Sequence, residues 1–157
     1  MSKRTAAVFV GAKKPLEITS FEAAAPAPGS ALVKLAYSGV CGTDVHIHEG
    51  RLGMPDFPLI IGHEFTGTIE ALGSEGCDGL GQPLAVGDRV IACVAIACGK
   101  CVNCRKGETA SCLAFGVTYV KPAAEAPHLH GGFAEALYSP LANLVKIPAG
   151  VDPAAVA

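Results

Sequence analysis

The stretch from Cys98 to Cys112, CGKCVNCRKGETASC, decides how the rest of the chain is read. Its cysteines stand at Cys98, Cys101, Cys104 and Cys112, a C-x2-C-x2-C-x7-C spacing. The residues between them show no hydrophobic period, so packing alone cannot give them a shape. Thiolates are good zinc ligands, and four of them close a tetrahedral site with bonds of about 2.3 Å. Two-residue gaps let successive sulfurs face one centre, and Gly99 and Gly107 free the backbone to wrap. Lys100, Arg105 and Lys106 lie nearby in sequence and can offset the charge. Four cysteine ligands leave no position for water, so such a zinc holds a loop rather than doing chemistry. An iron–sulfur cluster would need the same thiolates. Buried or disulfide-bonded cysteines are the remaining reading.

A lobe of this kind needs a scaffold, and the flanking sequence supplies short strands. Upstream, Thr5–Val10 and Leu16–Phe21 read as strands joined by a Gly-Ala-Lys-Lys-Pro turn. Ala31–Tyr37 alternates apolar and polar residues and reads as a third. Thr43 can cap a short helix running to about Glu49. Glu64–Leu72 is β-like, and Gly67 inside it suggests a bend or a close backbone approach. Val86–Ala92, Gly131–Tyr138 and Asn143–Ile147 complete the strands. The expected fold is mainly β: a partly open barrel over residues 1–157 with short helices and a zinc-binding lobe at about 98–112.

Composition narrows the function. Half of the 157 residues are apolar and 17% are charged, so a packed core is expected rather than disorder. Nineteen glycines and eleven prolines suit turns and short strands. The net charge of −2 comes with no basic block, which excludes a nucleic-acid partner at this level. The longest apolar run, Val90–Cys98, is far short of the roughly 20 residues that span a bilayer. No signal peptide is read at the N-terminus. The expectation is a cytoplasmic protein without a membrane partner, whose seven cysteines serve a metal more than disulfides.

A second constellation lies upstream of the lobe. Cys41-Gly42-Thr43-Asp44-Val45-His46 is followed by Gly62-His63-Glu64. A thiolate and an imidazole, Cys41 and His63, suit a zinc site with an open position. Glu64 can add an oxygen ligand or swing in and out. Asp44 is a candidate acceptor for the outer ring N–H of His63. Thr43 and His46 suit a proton path: a hydroxyl that hands the proton of an acidified alcohol towards an imidazole.

The order C-G-T-D-x-x-H, G-H-E-F-x-G, V-G-D-R-V, the four-cysteine lobe, then G-G-F-A-E resembles the N-terminal part of zinc-dependent medium-chain alcohol dehydrogenases. The resemblance runs from about Thr5 to the end. It implies a GroES-like barrel with a catalytic and a structural zinc. Cys41, His63 and Glu64 then match the catalytic zinc site, Thr43 contacts the alcohol oxygen and His46 passes the proton outward. Cys98, Cys101, Cys104 and Cys112 match the structural site. Val86–Val90 matches a structural turn and strand. The substrate would be a small-molecule alcohol or polyol, the cosubstrate NAD or NADP, and the full-length member a homo-oligomer. The family's third catalytic ligand and its Rossmann domain fall beyond the equivalent of Ala157. No strand–Gly-rich turn–helix unit stands within the chain. This chain is therefore expected to match about the first half of such an enzyme and to be inactive alone. A non-catalytic GroES-like zinc module is the competing reading, and a zinc-free reductase of the same superfamily is another.

Other residues read as bland. His48 is expected at the surface, His128 and His130 in a solvated loop, Cys93 in the core, and Cys77 as an exposed loop thiol.

Overall fold

The computed structural model describes residues 2–56, 58–92, 97–113 and 121–157. Among these described residues, seven strands form two sheets. Strands β1 (Ser2–Val8) and β2 (Glu17–Ala23) make an antiparallel ribbon in full register, Ser2 opposite Ala23 through Val8 opposite Glu17. The second sheet contains β3 (Ser30–Ser38), β4 (Phe65–Leu72), β5 (Arg89–Ala92), β6 (Ala136–Pro140) and β7 (Leu144–Lys146). Its order is β6-β3-β4-β5-β7, antiparallel throughout. The edge strands β6 and β7 do not pair with each other among the described residues, so the barrel stays open, as expected.

Two register shifts in the β3–β4 pairing, at Leu32/Val33 and Leu35/Tyr37, bend the sheet. Gly67 sits between them because nothing larger fits. A Cβ there would press into the Lys34 carbonyl oxygen of the neighbouring strand. The close approach read from the sequence is thus the reason for the glycine.

The alternation of β3 buries Ala31 and Val33 against Ile69, Val90 and Leu144, while Leu32 faces Ile60, Leu129 and Tyr138 on the other side. Such fully buried aliphatic side chains each contribute about 1.5–3 kcal/mol relative to exposure. A third, smaller cluster of Phe9, Ile47, Leu59 and Ile61 lies under helix α1 (Gly42–His48). A seven-residue helix is not stable alone. Ile47, 2% exposed, anchors this one.

The cap of α1 departs from expectation. Thr43 is not the N-cap; Cys41 is. Its Sγ accepts the Thr43 N–H at 3.2 Å, and the Asp44 carboxylate accepts the Cys41 N–H at 3.1 Å. Together these form a capping box with sulfur in place of the usual hydroxyl.

The segment 121–135 also departs from expectation. His130 is 6% exposed and its Nε2 hydrogen-bonds with the Glu125 carbonyl at 3.1 Å. The His128 ring stacks on Phe21 at 5.3 Å. This loop is packed rather than solvated. Burial holds the His130 imidazole below its usual pKa, against the opposing pull of the Glu125 carbonyl. His48 and Cys77 are exposed, as expected. Cys93 lies outside the described residues.

Candidate metal centres

The first centre is built where α1 meets the segment entering β4. Cys41 caps the helix and His63 follows the segment Leu59–Gly62. Cys41 Sγ and His63 Nε2 lie 3.1 Å apart. The Glu64 carboxylate completes a group whose donor atoms all fall within 4.8 Å of one another. His63 is buried, Cys41 is half-buried and Glu64 is exposed, so the group opens to solvent on the Glu64 side. Behind it, Asp44 is 3% exposed. Its Oδ1 faces His63 Nδ1 at 3.5 Å, longer than an ordinary hydrogen bond, and among the described residues no hydrogen bond satisfies that oxygen.

These distances test whether the donors fit an ion. Tetrahedral zinc with sulfur and nitrogen ligands holds the two donors roughly 3.6 Å apart. The observed 3.1 Å is tighter, while the Asp44–His63 gap is looser than a hydrogen bond by a similar amount. One small movement of the imidazole away from Cys41 and towards Asp44 relieves both. The donor set fits a divalent cation of zinc type.

Thr43 is half-buried and its N–H is on the Cys41 sulfur. His46 is exposed one turn further along α1, on the same helix face as Thr43 by its i, i+3 spacing.

The second centre is the lobe. Cys98, Cys101, Cys104 and Cys112 bring four sulfurs within 4.8 Å of one another. Cys98 and Cys104 sulfurs are 4.0 Å apart, close to the edge of about 3.8 Å that a tetrathiolate zinc requires. A short helix α2 (Val102–Arg105) starts on Cys101, whose Sγ accepts the Cys104 N–H at 3.5 Å. Cys101 N–H points at the Cys98 sulfur and Cys98 N–H at the Cys112 sulfur, at 3.4 and 3.2 Å. Asn103 Nδ2 donates to the Ser111 carbonyl at 2.6 Å and closes the loop.

Backbone N–H groups aimed at sulfur favour the thiolate. The Cys104 and Leu113 amides draw the Cys101 thiol down to about 6. The Lys100 and Cys101 amides lower Cys98. Burial and the neighbouring thiols push Cys104 up to about 12. Metal-free, the cluster therefore shares protons unevenly. A divalent cation is what lets all four sulfurs ionise together.

Sequence reading missed the groups that hold these centres from outside. Gly39 donates its N–H to the Glu64 carbonyl at 2.8 Å. A Cβ on Gly39 would lie 2.9 Å from Glu64 Oε2. The Gly131-Gly132-Phe133 segment runs beside the backbone leading to His63. The paired glycines before an aromatic residue were the available signal.

Comparison with known proteins agrees with this geometry. Residues 27–149 match the family described as "Alcohol dehydrogenase GroES-like domain". L-galactonate-5-dehydrogenase of Escherichia coli K12 is 35% identical over 147 residues, covering 92% of this chain and 39% of that protein. An alcohol dehydrogenase from Thermotoga maritima superposes with a TM-score of 0.91 at 30% identity, over 99% of this chain and 44% of that one. A cobalt- and zinc-bound thermostable alcohol dehydrogenase from Pyrobaculum aerophilum gives 0.78 at 26% identity, over 97% and 43%. The chain thus spans about two fifths of the length of the curated relatives it matches (39% for the E. coli protein). Among the described residues, no helix is long and apolar enough to cross a membrane.

Proposed function

Because this chain belongs to the alcohol dehydrogenase GroES-like domain family, we propose that residues 1–157 are the zinc-binding catalytic domain of an NAD- or NADP-dependent alcohol or polyol dehydrogenase. The observation that carries the reading is the Cys41–His63 pair at 3.1 Å with the Glu64 carboxylate beside it. The relative L-galactonate-5-dehydrogenase and the metal-bound structural neighbour support it. The cofactor site is assigned to the part of the whole enzyme outside these residues.

Cys41, His63 and Glu64 would hold the working zinc, which supplies Lewis-acid polarisation of the substrate oxygen. The Thr43 hydroxyl would orient the alcohol, taking its proton while releasing its own. His46, exposed on the same face of α1, lies on the side towards which that proton is passed to water. Asp44 steers the His63 ring. Cys98, Cys101, Cys104 and Cys112 keep the lobe folded around a second zinc. Small-molecule substrate, cytoplasmic location and assembly of the whole enzyme into homo-oligomers belong to the same proposal.

The test pairs two proteins. The 157-residue chain, given NAD or NADP and a panel of alcohols and polyols, should turn nothing over. A version extended through a cofactor domain should be active and lose activity on Cys41→Ser. Undiminished turnover by that variant would refute the role of the first centre.

A further inference from the structure

The stretch Leu59–Gly62 that delivers His63 belongs to neither sheet, so something else must fix it. Leu59 exchanges backbone hydrogen bonds with Phe9 at 2.8 and 3.0 Å, and Ile61 and Gly62 are held by the segment Gly131-Gly132-Phe133. Gly132 N–H donates to the Gly62 carbonyl at 2.8 Å and Phe133 N–H to the Ile61 carbonyl at 2.9 Å. The fit leaves no room for side chains. A Cβ on Gly131 would overlap the Ile60 carbonyl oxygen. A Cβ on Gly62 would stand 2.5 Å from the Phe133 ring, and Gly62 holds φ at +92° besides. The ring of Phe133 therefore lies directly on the Cα that precedes His63. Phe133 also packs against the cluster under α1 and the cluster behind β1, so it is held from two sides. Its carbonyl accepts the Ala7 N–H at 2.8 Å, and the next turn is tied by Glu135 N–H to the Thr5 carbonyl at 2.9 Å.

We propose that Gly131, Gly132 and Phe133 form a brace that sets the position of His63 relative to Cys41, with Phe133 as a positioning residue for the first metal centre. This rests on the reading of that centre as a zinc site. The brace works through the backbone. Three segments hydrogen-bond side by side in order: β1, the 131–133 segment, and the 60–62 segment. Only the last leads directly to a candidate ligand, His63. Shrinking the Phe133 ring frees Gly62 to shift, and His63 shifts with it, while the four-cysteine lobe feels nothing.

The test is a cobalt(II) titration of the 157-residue chain followed by thiolate-to-metal absorption, with Cys41→Ser to assign the first centre and the four-cysteine lobe as internal control. Phe133→Leu keeps apolar volume and should weaken cobalt at the first centre about tenfold or more, leaving the lobe unchanged. Phe133→Tyr, which keeps the ring on Gly62, should restore it. Equal weakening of both centres, no change at either, or loss of both with the far-ultraviolet circular dichroism signal would overturn the brace. Failure of the unsubstituted chain to show a Cys41-dependent band would instead overturn the metal reading beneath it.

Discussion

Asp44 has to accept at two places at once, and Asp44→Asn tests whether it does. One carboxylate oxygen takes the Cys41 N–H at 3.1 Å and the other faces His63 Nδ1 at 3.5 Å. When Nε2 ligates a metal beside the Cys41 sulfur, Nδ1 carries the ring's proton. Asparagine has the same shape but a single acceptor oxygen. If that oxygen keeps the helix cap, the amide NH2 confronts the imidazole N–H. If it turns to His63, the NH2 confronts Cys41 N–H. Either arrangement opposes two donors in a place where Asp44 is 3% exposed. A buried donor left unpaired costs about 1–3 kcal/mol. Loss of an outer-shell acceptor to a ligating histidine typically costs 10–100-fold in metal affinity, roughly 1.4–2.7 kcal/mol. Denaturant unfolding of the metal-free chain should show the first quantity. Cobalt or zinc titration of the first centre should show a loss of affinity within the second range, with the lobe unaffected. A variant that matches the parent in both measurements would show that Asp44 neither caps α1 nor steers His63.

Three further outcomes are expected. Cys101→Ser should remove one zinc per chain by metal analysis and expose residues 98–112 to limited proteolysis, because Cys101 caps α2 and is a candidate ligand. Asp78 is buried, and its carboxylate accepts from the Leu80, Gln82 and Lys146 amides at 2.9, 2.8 and 3.0 Å. Burial raises its pKa, but those amides and the Lys146 charge win and hold it below the usual carboxylate range. Its stabilisation is thus complete above about pH 4 and lost as the pH falls through the lowered folded value, so Asp78→Ala should flatten the acid limb of a stability–pH curve and cost about 2–4 kcal/mol at pH 7. In the extended, cofactor-binding protein, Thr43→Val should lower kcat by about 10²–10⁴-fold, whereas His46→Gln should lower kcat by a smaller factor in steady-state assays.

The strands were legible because their signal is local. Alternation in Ala31–Tyr37 and the glycine-bounded runs locate β3 and β4 within two residues of where they lie. The sheet order was not legible, since β6-β3-β4-β5-β7 joins residues more than a hundred positions apart, as in Ala31 with Ser139. The positions of the candidate ligands were legible from spacing and chemistry. What was hidden was support. Cys41 escaped notice as a cap because capping preferences describe oxygen side chains. His130 looked solvated because its burial depends on a chain segment folding back over Phe21 and Ala123, which no periodicity announces.

Among the described residues, both α-helices start on a sulfur that is also a candidate ligand: Cys41 for α1 and Cys101 for α2. One atom thus answers to two equilibria, coordination and the winding of the first turn. Oxidising either thiol would do more than empty a centre. It would withdraw the acceptor for the Thr43 or Cys104 amide and unwind the turn that presents Thr43 or Cys104. Amide exchange at those two N–H groups would therefore report thiol oxidation before any global unfolding.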